Sequence, residues 1–315
     1  MTAYLLLGGT GFIGTNLALK LIAESGNAVA VACRHPERAI HLSDVPGIAL
    51  HRAEFDETCD FQSLVAGIDV VVHMVSTTLP ATSNKCVSKE LSDIGTTALL
   101  LDSCVASGVK KVVFLSSGGT VYGKGVPPFT ENDQVFPISS YGLQKVAIEK
   151  LLHLYWHLYG LDYRIVRPSN PFGRFQNPDR GQGVIAAFVS AALRGDDLTI
   201  FGDGSVVRDF IYIDDLVEGL CRIIDYGGSC RVFNLGSGRG MSVLDVARSV
   251  MSCIPGKSAV RFEKGRGVDV PECILSMERF NEELGELKLT DFQEGVTRTA
   301  RYQESILAKE EWKLS

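Results

Sequence analysis

The chain has 315 residues, 45% of them hydrophobic and 22% charged, which is enough apolar surface to bury one large core or two fused lobes and too much for a disordered chain. Its 31 basic and 37 acidic residues leave a net charge of −6, which argues against a nucleic-acid or anionic-membrane surface. An anionic ligand must instead be met by local arginines, and Arg34, Arg38, Arg208 and Arg266 are the candidates. Eight cysteines, at positions 33, 59, 86, 104, 221, 230, 253 and 273, form no CxxC pair or Cys/His cluster. That pattern argues against a metal site or a disulfide frame and fits reduced thiols in a cytoplasmic protein. No apolar run approaches the roughly 18 residues that cross a bilayer, so a soluble protein is expected.

From the start, short β-branched runs alternate with helical patterns. Tyr4 to Leu7 predicts a strand that opens into Gly8-Gly-Thr-Gly-Phe-Ile-Gly14, and further strands are predicted at Ala28 to Cys33, Ile48 to His51, Val70 to Val75 and Val112 to Leu115. Continuous apolar strands separated by helices imply an α/β fold with a doubly wound parallel sheet and right-handed crossovers. In the first loop, Gly8 permits a tight turn, Gly11 lets backbone N–H groups approach a dinucleotide pyrophosphate, and Gly14 lets helix and strand pack closely. Cofactor choice is expected at the end of the second strand, where an acid binds a ribose 2′-hydroxyl and an arginine favours a 2′-phosphate. Ala32-Cys-Arg-His35 puts Cys33 and Arg34 there. Arg34 either clamps a 2′-phosphate together with Arg38 or stacks on the adenine, so NAD and NADP both remain open.

The fifth strand runs into Leu115-Ser-Ser-Gly-Gly-Thr-Val-Tyr-Gly123, and Ser139-Ser-Tyr-Gly-Leu-Gln-Lys145 then opens a helix that continues through Leu151, Leu154 and Leu158. Tyr141 and Lys145 share one face of this helix, about one turn apart. A free phenol has a pKa near 10, so a base working near neutrality needs roughly 4 kcal/mol of help. Lys145 and an oxidised nicotinamide supply positive charge for that, and Lys145 can also hold the cofactor ribose. The chemistry implied is proton removal from a carbinol with hydride transfer, or its reverse. Ser117 and Thr120 are the candidates to polarise the substrate oxygen, with Ser116 assigned a structural part.

A strand from Tyr163 to Val166 leads to Arg167-Pro-Ser-Asn170, and the character changes near residue 173. A loop rich in Gly, Pro and Asn runs from Phe172 to Gly183, followed by a predicted helix near Val184 to Arg194 and a strand at Leu198 to Phe201. Residues 1–173 are thus expected to form a dinucleotide-binding domain and 174–315 mainly a substrate lobe. Val232 to Leu235 has strand character and can return to the main sheet, so segments around 206–240 are expected to interleave with the first domain.

The ordered series of motifs resembles the extended short-chain dehydrogenase/reductases, especially UDP-sugar 4-epimerases of the UDP-galactose 4-epimerase type. The resemblance covers most of the chain and is carried by the glycine loop, Asp69-Val-Val-Val-His73, Ser116-Ser-Gly-Gly-Thr-Val-Tyr-Gly123, Tyr141 with Lys145, Arg167-Pro-Ser-Asn-Pro-Phe-Gly173, Gly202-Asp-Gly-Ser-Val-Val-Arg-Asp209 and Phe233-Asn-Leu-Gly-Ser-Gly238. It implies a Rossmann domain with a smaller α/β substrate lobe. It also implies further cofactor contacts at Phe12, Ile13, Glu54, Met74, Val75, Ser76 and Pro168, contact with a nucleotide sugar at Asn170, and diphosphate and nucleotide-ribose contacts from Arg208, Arg266 and Asp269. The arginines suit a diphosphate and Asp269 suits ribose hydroxyls, although Arg208 has an alternative in an ion pair with Asp209 or Asp203, and Arg266 in a solvated loop. A small residue at Cys273 implies room for an N-acetyl group at the sugar's C2. Relatives also suggest a homodimer that uses the Tyr141 helix, and a part in polysaccharide biosynthesis.

Two residues depart from the epimerase pattern. Gly118 stands where a catalytic Ser or Thr is usual, and Cys33 with Arg34 replaces the usual acid after the second strand. The leading expectation is a nucleotide-sugar 4-epimerase for UDP-glucose and UDP-N-acetylglucosamine types. An NADPH-dependent 4-ketosugar reductase or a dehydratase is the alternative. A sensor or scaffold that kept only the fold is a third class, opposed by the intact Tyr141/Lys145 pair.

Overall fold

The computed structural model describes residues 2–314 apart from 25, 77–83, 85–86, 181–182 and 266–269. Strands without a polar face form its centre, because a run such as Val70–His73, buried at every position, has no side that water can wet. The first six strands are β1 (Ala3–Leu7), β2 (Ala28–Cys33), β3 (Ile48–Arg52), β4 (Val70–His73), β5 (Lys111–Leu115) and β6 (Asp162–Pro168). Helices α1 (Phe12–Ala23), α2 (Phe61–Leu64), α3 (Val87–Ser107), α4 (Gly118–Val121) and α5 (Ser140–Tyr159) fall between them. The two-residue period of β1 separates two cores: Tyr4 and Leu6 face Leu17 and Leu21 of α1, whereas Leu5 and Leu7 belong with Leu100, Leu101, Ile148 and Leu152 of α3 and α5.

Later elements are β7 (Asn170–Phe172), α6 (Val184–Arg194), β8 (Leu198–Phe201), β9 (Val207–Tyr212), α7 (Ile213–Asp225) and β10 (Val232–Leu235). They are followed by β11 (Gly240–Ser242), α8 (Val243–Cys253), β12 (Val260–Glu263), β13 (Glu272–Cys273), α9 (Glu278–Leu284) and α10 (Phe292–Leu314). The main sheet has seven strands in the order β10-β6-β5-β4-β1-β2-β3, every neighbouring pair parallel. The chain moves outward from β1 through β2 and β3, then restarts on the other side at β4. That reversal opens a crevice at the carboxyl ends of β1 and β4, where neither crossover helix lies.

The strand expected to run to Val75 stops at His73. Its neighbour β1 ends at Leu7, the Met74 N–H makes a last bond to the Leu7 carbonyl (3.0 Å), and Gly8 turns away with φ +80°. β10 lies beside β6, with Phe233 opposite Val166. One apolar cluster joins Tyr4 and Leu17 to Phe172, Phe210, Val246 and Ala300, so the core continues unbroken across residue 173. Among the described residues no helix is long and apolar enough to cross a membrane, and no group of three His, Cys, Asp or Glu side chains is placed to hold a metal.

Two buried polar networks lock these layers. Asp209 of β9, inaccessible to solvent, accepts from the Ser237 N–H and hydroxyl (2.8 and 2.7 Å), the Gly238 N–H (3.2 Å) and the Leu275 N–H (3.3 Å). A side chain on Gly236 would begin 2.5 Å from its carboxylate, which is why the turn after β10 needs glycine. Arg167 of β6 grips Glu149 of α5 through two nitrogens (3.0 and 2.6 Å) and reaches the Tyr122 hydroxyl (3.0 Å). Ser116 donates to the same glutamate.

Removing one partner of such a pair strands the other charge away from water. Glu149→Gln is therefore expected to destabilise the protein by about 3–5 kcal/mol in urea denaturation at pH 7. A loss under about 1 kcal/mol would show that the pair is better solvated than its burial indicates.

Candidate active site

The loop after β1 is shaped by close approach. A side chain on Gly14 would begin 2.5 Å from the Gly9 Cα and 2.6 Å from the Gly8 carbonyl, so α1 meets the loop only with glycine there. Gly11 caps α1 in an extended conformation without a side-chain bond, and the first turn holds no acid. Its free N–H groups and the helix dipole therefore face an incoming anion. A cleft of about 510 Å³ opens at this point, lined by Gly8, Gly11, Cys33, Arg34, Arg38, Glu54, Met74, Val75 and Ser76 among others. Of the remaining predicted cofactor residues, Phe12 and Ile13 pack against the core from α1, and Pro168 closes β6 with its carbonyl facing Gly118. Thr10, Ala53, Phe55 and Cys59 also line the cleft. Sequence reasoning missed them because they are brought there by the ends of β1 and β3 and by the turn that follows.

On the other side of the switch point, the Ser139 hydroxyl accepts from the Gly142 N–H (3.1 Å) and starts α5 so that Tyr141 lies in its first turn. Lys145 is buried one turn later. Its Nζ donates to the Leu115 carbonyl at the end of β5 (3.0 Å) and stands 4.7 Å from the Phe114 ring centre and 5.4 Å from that of Tyr141. Burial pushes this ammonium down to about 8, while Asp93 and Glu149 oppose the shift. It therefore carries its charge at neutral pH. Burial, and next the Lys145 charge, push His73 down to about 3, so that ring is neutral, with Nε2 3.1 Å from the Thr97 hydroxyl.

The hydroxyls after β5 separate by environment. Ser116 is held by Glu149, Ser117 begins α4 without a capping bond, and Thr120 has a buried Oγ1 with no hydrogen-bond partner among the described residues. A side chain on Gly142 would begin 2.6 Å from the Thr120 carbonyl, so the Thr120 turn lies against the start of α5 beside Tyr141. Gly118 has a physical counterpart: a Cβ there would fall 2.5 Å from Leu275 Cδ1 and 3.0 Å from the Pro168 carbonyl. Leu275 fills the volume a serine would need.

A second cavity of about 260 Å³ includes Asn170, Phe188, Phe201, Arg208, Phe210 and Val243 in its lining. Asn170 donates to the Asp209 carbonyl (2.9 Å), and the Arg208 guanidinium to the carbonyls of Val207 (2.9 Å) and Val270 (2.7 Å). The carboxylates left open as partners of Arg208 bond elsewhere, Asp209 as above and Asp203 to Ser205. Sequence reasoning missed the apolar lining, which α6, β8 and β9 bring together and where Phe201 is left half exposed at the end of β8. Arg266 and Asp269 lie outside the described residues. Cys273 sits apart from this cavity's lining, buried with its Sγ 3.6 Å from the Gly118 carbonyl, and burial pushes its thiol up to about 11.

A Gly-loop cleft at a switch point, with a half-buried Tyr141 and a buried Lys145 on one helix beside it, defines a nicotinamide-dependent Rossmann enzyme. The chain belongs to the NAD dependent epimerase/dehydratase family, whose model matches residues 4–236. It is 30% identical over 307 residues to a UDP-glucose 4-epimerase of Mycolicibacterium smegmatis, covering 95% of this chain and 97% of that one. A dTDP-4-dehydro-6-deoxyglucose reductase of Escherichia coli is 28% identical over 93% of this chain and 95% of its own. In three dimensions the fold matches the UDP-glucose 4-epimerase of Thermotoga maritima with a TM-score of 0.91 and 30% identity, across 97% of this chain and 100% of that one. The protein is thus an NAD(P)-dependent enzyme.

The buried lysine leaves a mark on stability. An unfolded lysine keeps its proton to about 10.5 and the folded one releases it near 8, so burial costs stability below pH 8 and the cost fades between those values. The stability of the wild type minus that of Lys145→Met is expected to rise by roughly 3 kcal/mol from pH 8 to 10.5. A difference that stays flat with pH would contradict a buried ammonium.

Proposed function

We propose that the protein is a nucleotide-sugar 4-epimerase of the UDP-glucose/UDP-N-acetylglucosamine type. The observation that carries this reading is Lys145, buried against the end of β5 with its Nζ 5.4 Å from the Tyr141 ring centre, with the cavity lined by Asn170 and Arg208 as a second ligand site. The likeness to the Mycolicibacterium and Thermotoga epimerases supports it. A bound nicotinamide supplies the acceptor, and then the donor, of one hydride.

The chain's own groups handle the proton and the orientation. Lys145 directs positive charge at the phenol, which favours phenolate, and the nearby charges of Asp93 and Glu149 keep the lysine protonated. Tyr141 removes the C4 hydroxyl proton as C4 becomes a ketone, and returns it when hydride comes back to the opposite face. Thr120 is the hydroxyl we assign to the C4 oxygen, since its Oγ1 is buried without a partner among the described residues. Asn170 and Arg208 hold the nucleotide end while the keto sugar turns. A second reading, a 4-ketosugar reductase with the same Tyr141 and Lys145, is favoured by Leu275 occupying the place of the usual hydroxyl at Gly118 and by the Escherichia coli relative.

Proton NMR of UDP-glucose and UDP-N-acetylglucosamine, incubated with the enzyme and catalytic NAD or NADP, should show growth of galacto-configured anomeric signals. Tyr141→Phe should cut this turnover by roughly 10²–10⁴-fold while leaving cofactor binding intact. Unchanged sugars overturn the epimerase reading, and consumption of NADPH with a 4-keto sugar would then establish the reductase. Full turnover in Tyr141→Phe would remove the phenol from the mechanism.

A further inference from the structure

The cleft beside the glycine loop carries a charge pattern that bears on which dinucleotide it takes. β2 ends at Cys33, a buried thiol that offers a ribose no carboxylate. Arg34 follows at once, and a single turn of 3₁₀ helix, Pro36–Arg38, brings Arg38 back to the same wall, so both exposed arginines line one cleft with Gly8 and Gly11. The acid between them is already engaged: Glu37 accepts from Arg52 (2.7 Å) and pairs with His35 (3.1 Å). Arg52 also donates to the Arg34 carbonyl (3.0 Å), which ties the loop to β3. Arg34 and Arg38 are left with no ion pair or side-chain hydrogen bond among the described residues.

Among the described residues the carboxylate lining the cleft is Glu54, exposed, two residues beyond the end of β3. Two unpaired guanidiniums against one carboxylate make the wall after β2 a site for an anion. The adenosine of NADP carries a phosphate on its ribose 2′-oxygen, and the position after β2 is where this class of fold meets that oxygen. We propose that Arg34 and Arg38 form a 2′-phosphate site, so that this enzyme takes NADP(H) in preference to NAD(H). The proposal rests on reading the glycine-loop cleft as the dinucleotide site, and it holds whether the sugar chemistry is epimerisation or reduction.

The test is calorimetric titration of the purified full-length protein, freed of nucleotide, with NADP⁺ and NAD⁺ in parallel, and with 2′,5′-ADP and 5′-ADP as probes of the adenosine end alone. NADP⁺ is expected to bind at least about tenfold more tightly, since each arginine adds a charge-assisted bond to the phosphate. 2′,5′-ADP should outbind 5′-ADP by a similar factor, and the margin should shrink with added salt. Arg34→Ala/Arg38→Ala should erase the preference by weakening NADP⁺ while NAD⁺ affinity stays within about twofold. Tighter or equal binding of NAD⁺, as expected if Glu54 takes the ribose 2′-hydroxyl instead, overturns the proposal. So does a double variant that loses both dinucleotides equally. Binding of neither dinucleotide by the wild type would refute the cleft assignment itself, a failure distinct from wrong phosphate recognition.

Discussion

A lysine ammonium held out of water at the carboxyl end of a parallel sheet is the constraint on which the rest of this molecule depends. An unpaired buried ammonium sheds its proton, and a neutral Lys145 would have no field to offer a phenol. The structure keeps it charged by surrounding it with oriented groups rather than one tight ion pair: the Leu115 carbonyl, the Phe114 and Tyr141 rings, and the more distant charges of Asp93 and Glu149. Arg167 and Ser116 share the Glu149 carboxylate, and Arg167 passes the network on to Tyr122, whose hydroxyl meets Asn234 of β10 (2.6 Å). The charge that tunes the candidate base is thereby coupled to the far edge of the sheet.

The second half of the chain is tied to that edge by the same economy of buried polar groups. Asp209 gathers the turn after β10 and the strand leading to Leu275, while its backbone carbonyl holds Asn170. Leu275 and Cys273, on one short segment, then press on opposite sides of Gly118, one with its side chain where a Cβ would fall and the other with its thiol on the carbonyl. The glycine is therefore part of a packed contact, and a serine put back there would have to displace Leu275. This shifts the burden of polarising a substrate oxygen to Thr120 or Ser117, and Thr120 has the buried, unpartnered oxygen.

Local pattern made much of the fold legible. The apolar runs located the strands of the main sheet, the glycine spacing located the loop, and the helical interval located Tyr141 and Lys145 on one face. Strand ends were less legible, as at His73, because where a strand stops depends on where its neighbour stops. The missed features share a cause: they join residues far apart in sequence. Nothing near Gly118 announces Leu275, nothing near Arg208 announces that Asp209 will be occupied by Ser237 and Gly238, and the apolar lining of the second cavity draws on α6, β8 and β9 together. Ser117 and Thr120 were indistinguishable by type and spacing, and only the burial of the Thr120 Oγ1, without a partner among the described residues, set them apart.

Lys145, in this mechanism, makes Tyr141 a base. That role is tested most directly by following the phenol itself, through NMR of the enzyme with ¹³Cζ-labelled tyrosine, saturated with oxidised cofactor and titrated with pH. One tyrosine resonance should ionise well below the pH near 10 of a free phenol, be absent in Tyr141→Phe, and move back toward ordinary values in Lys145→Met. A Tyr141 signal that stays protonated up to pH 10 in the cofactor-bound enzyme, or that ionises alike with and without Lys145, would contradict that role.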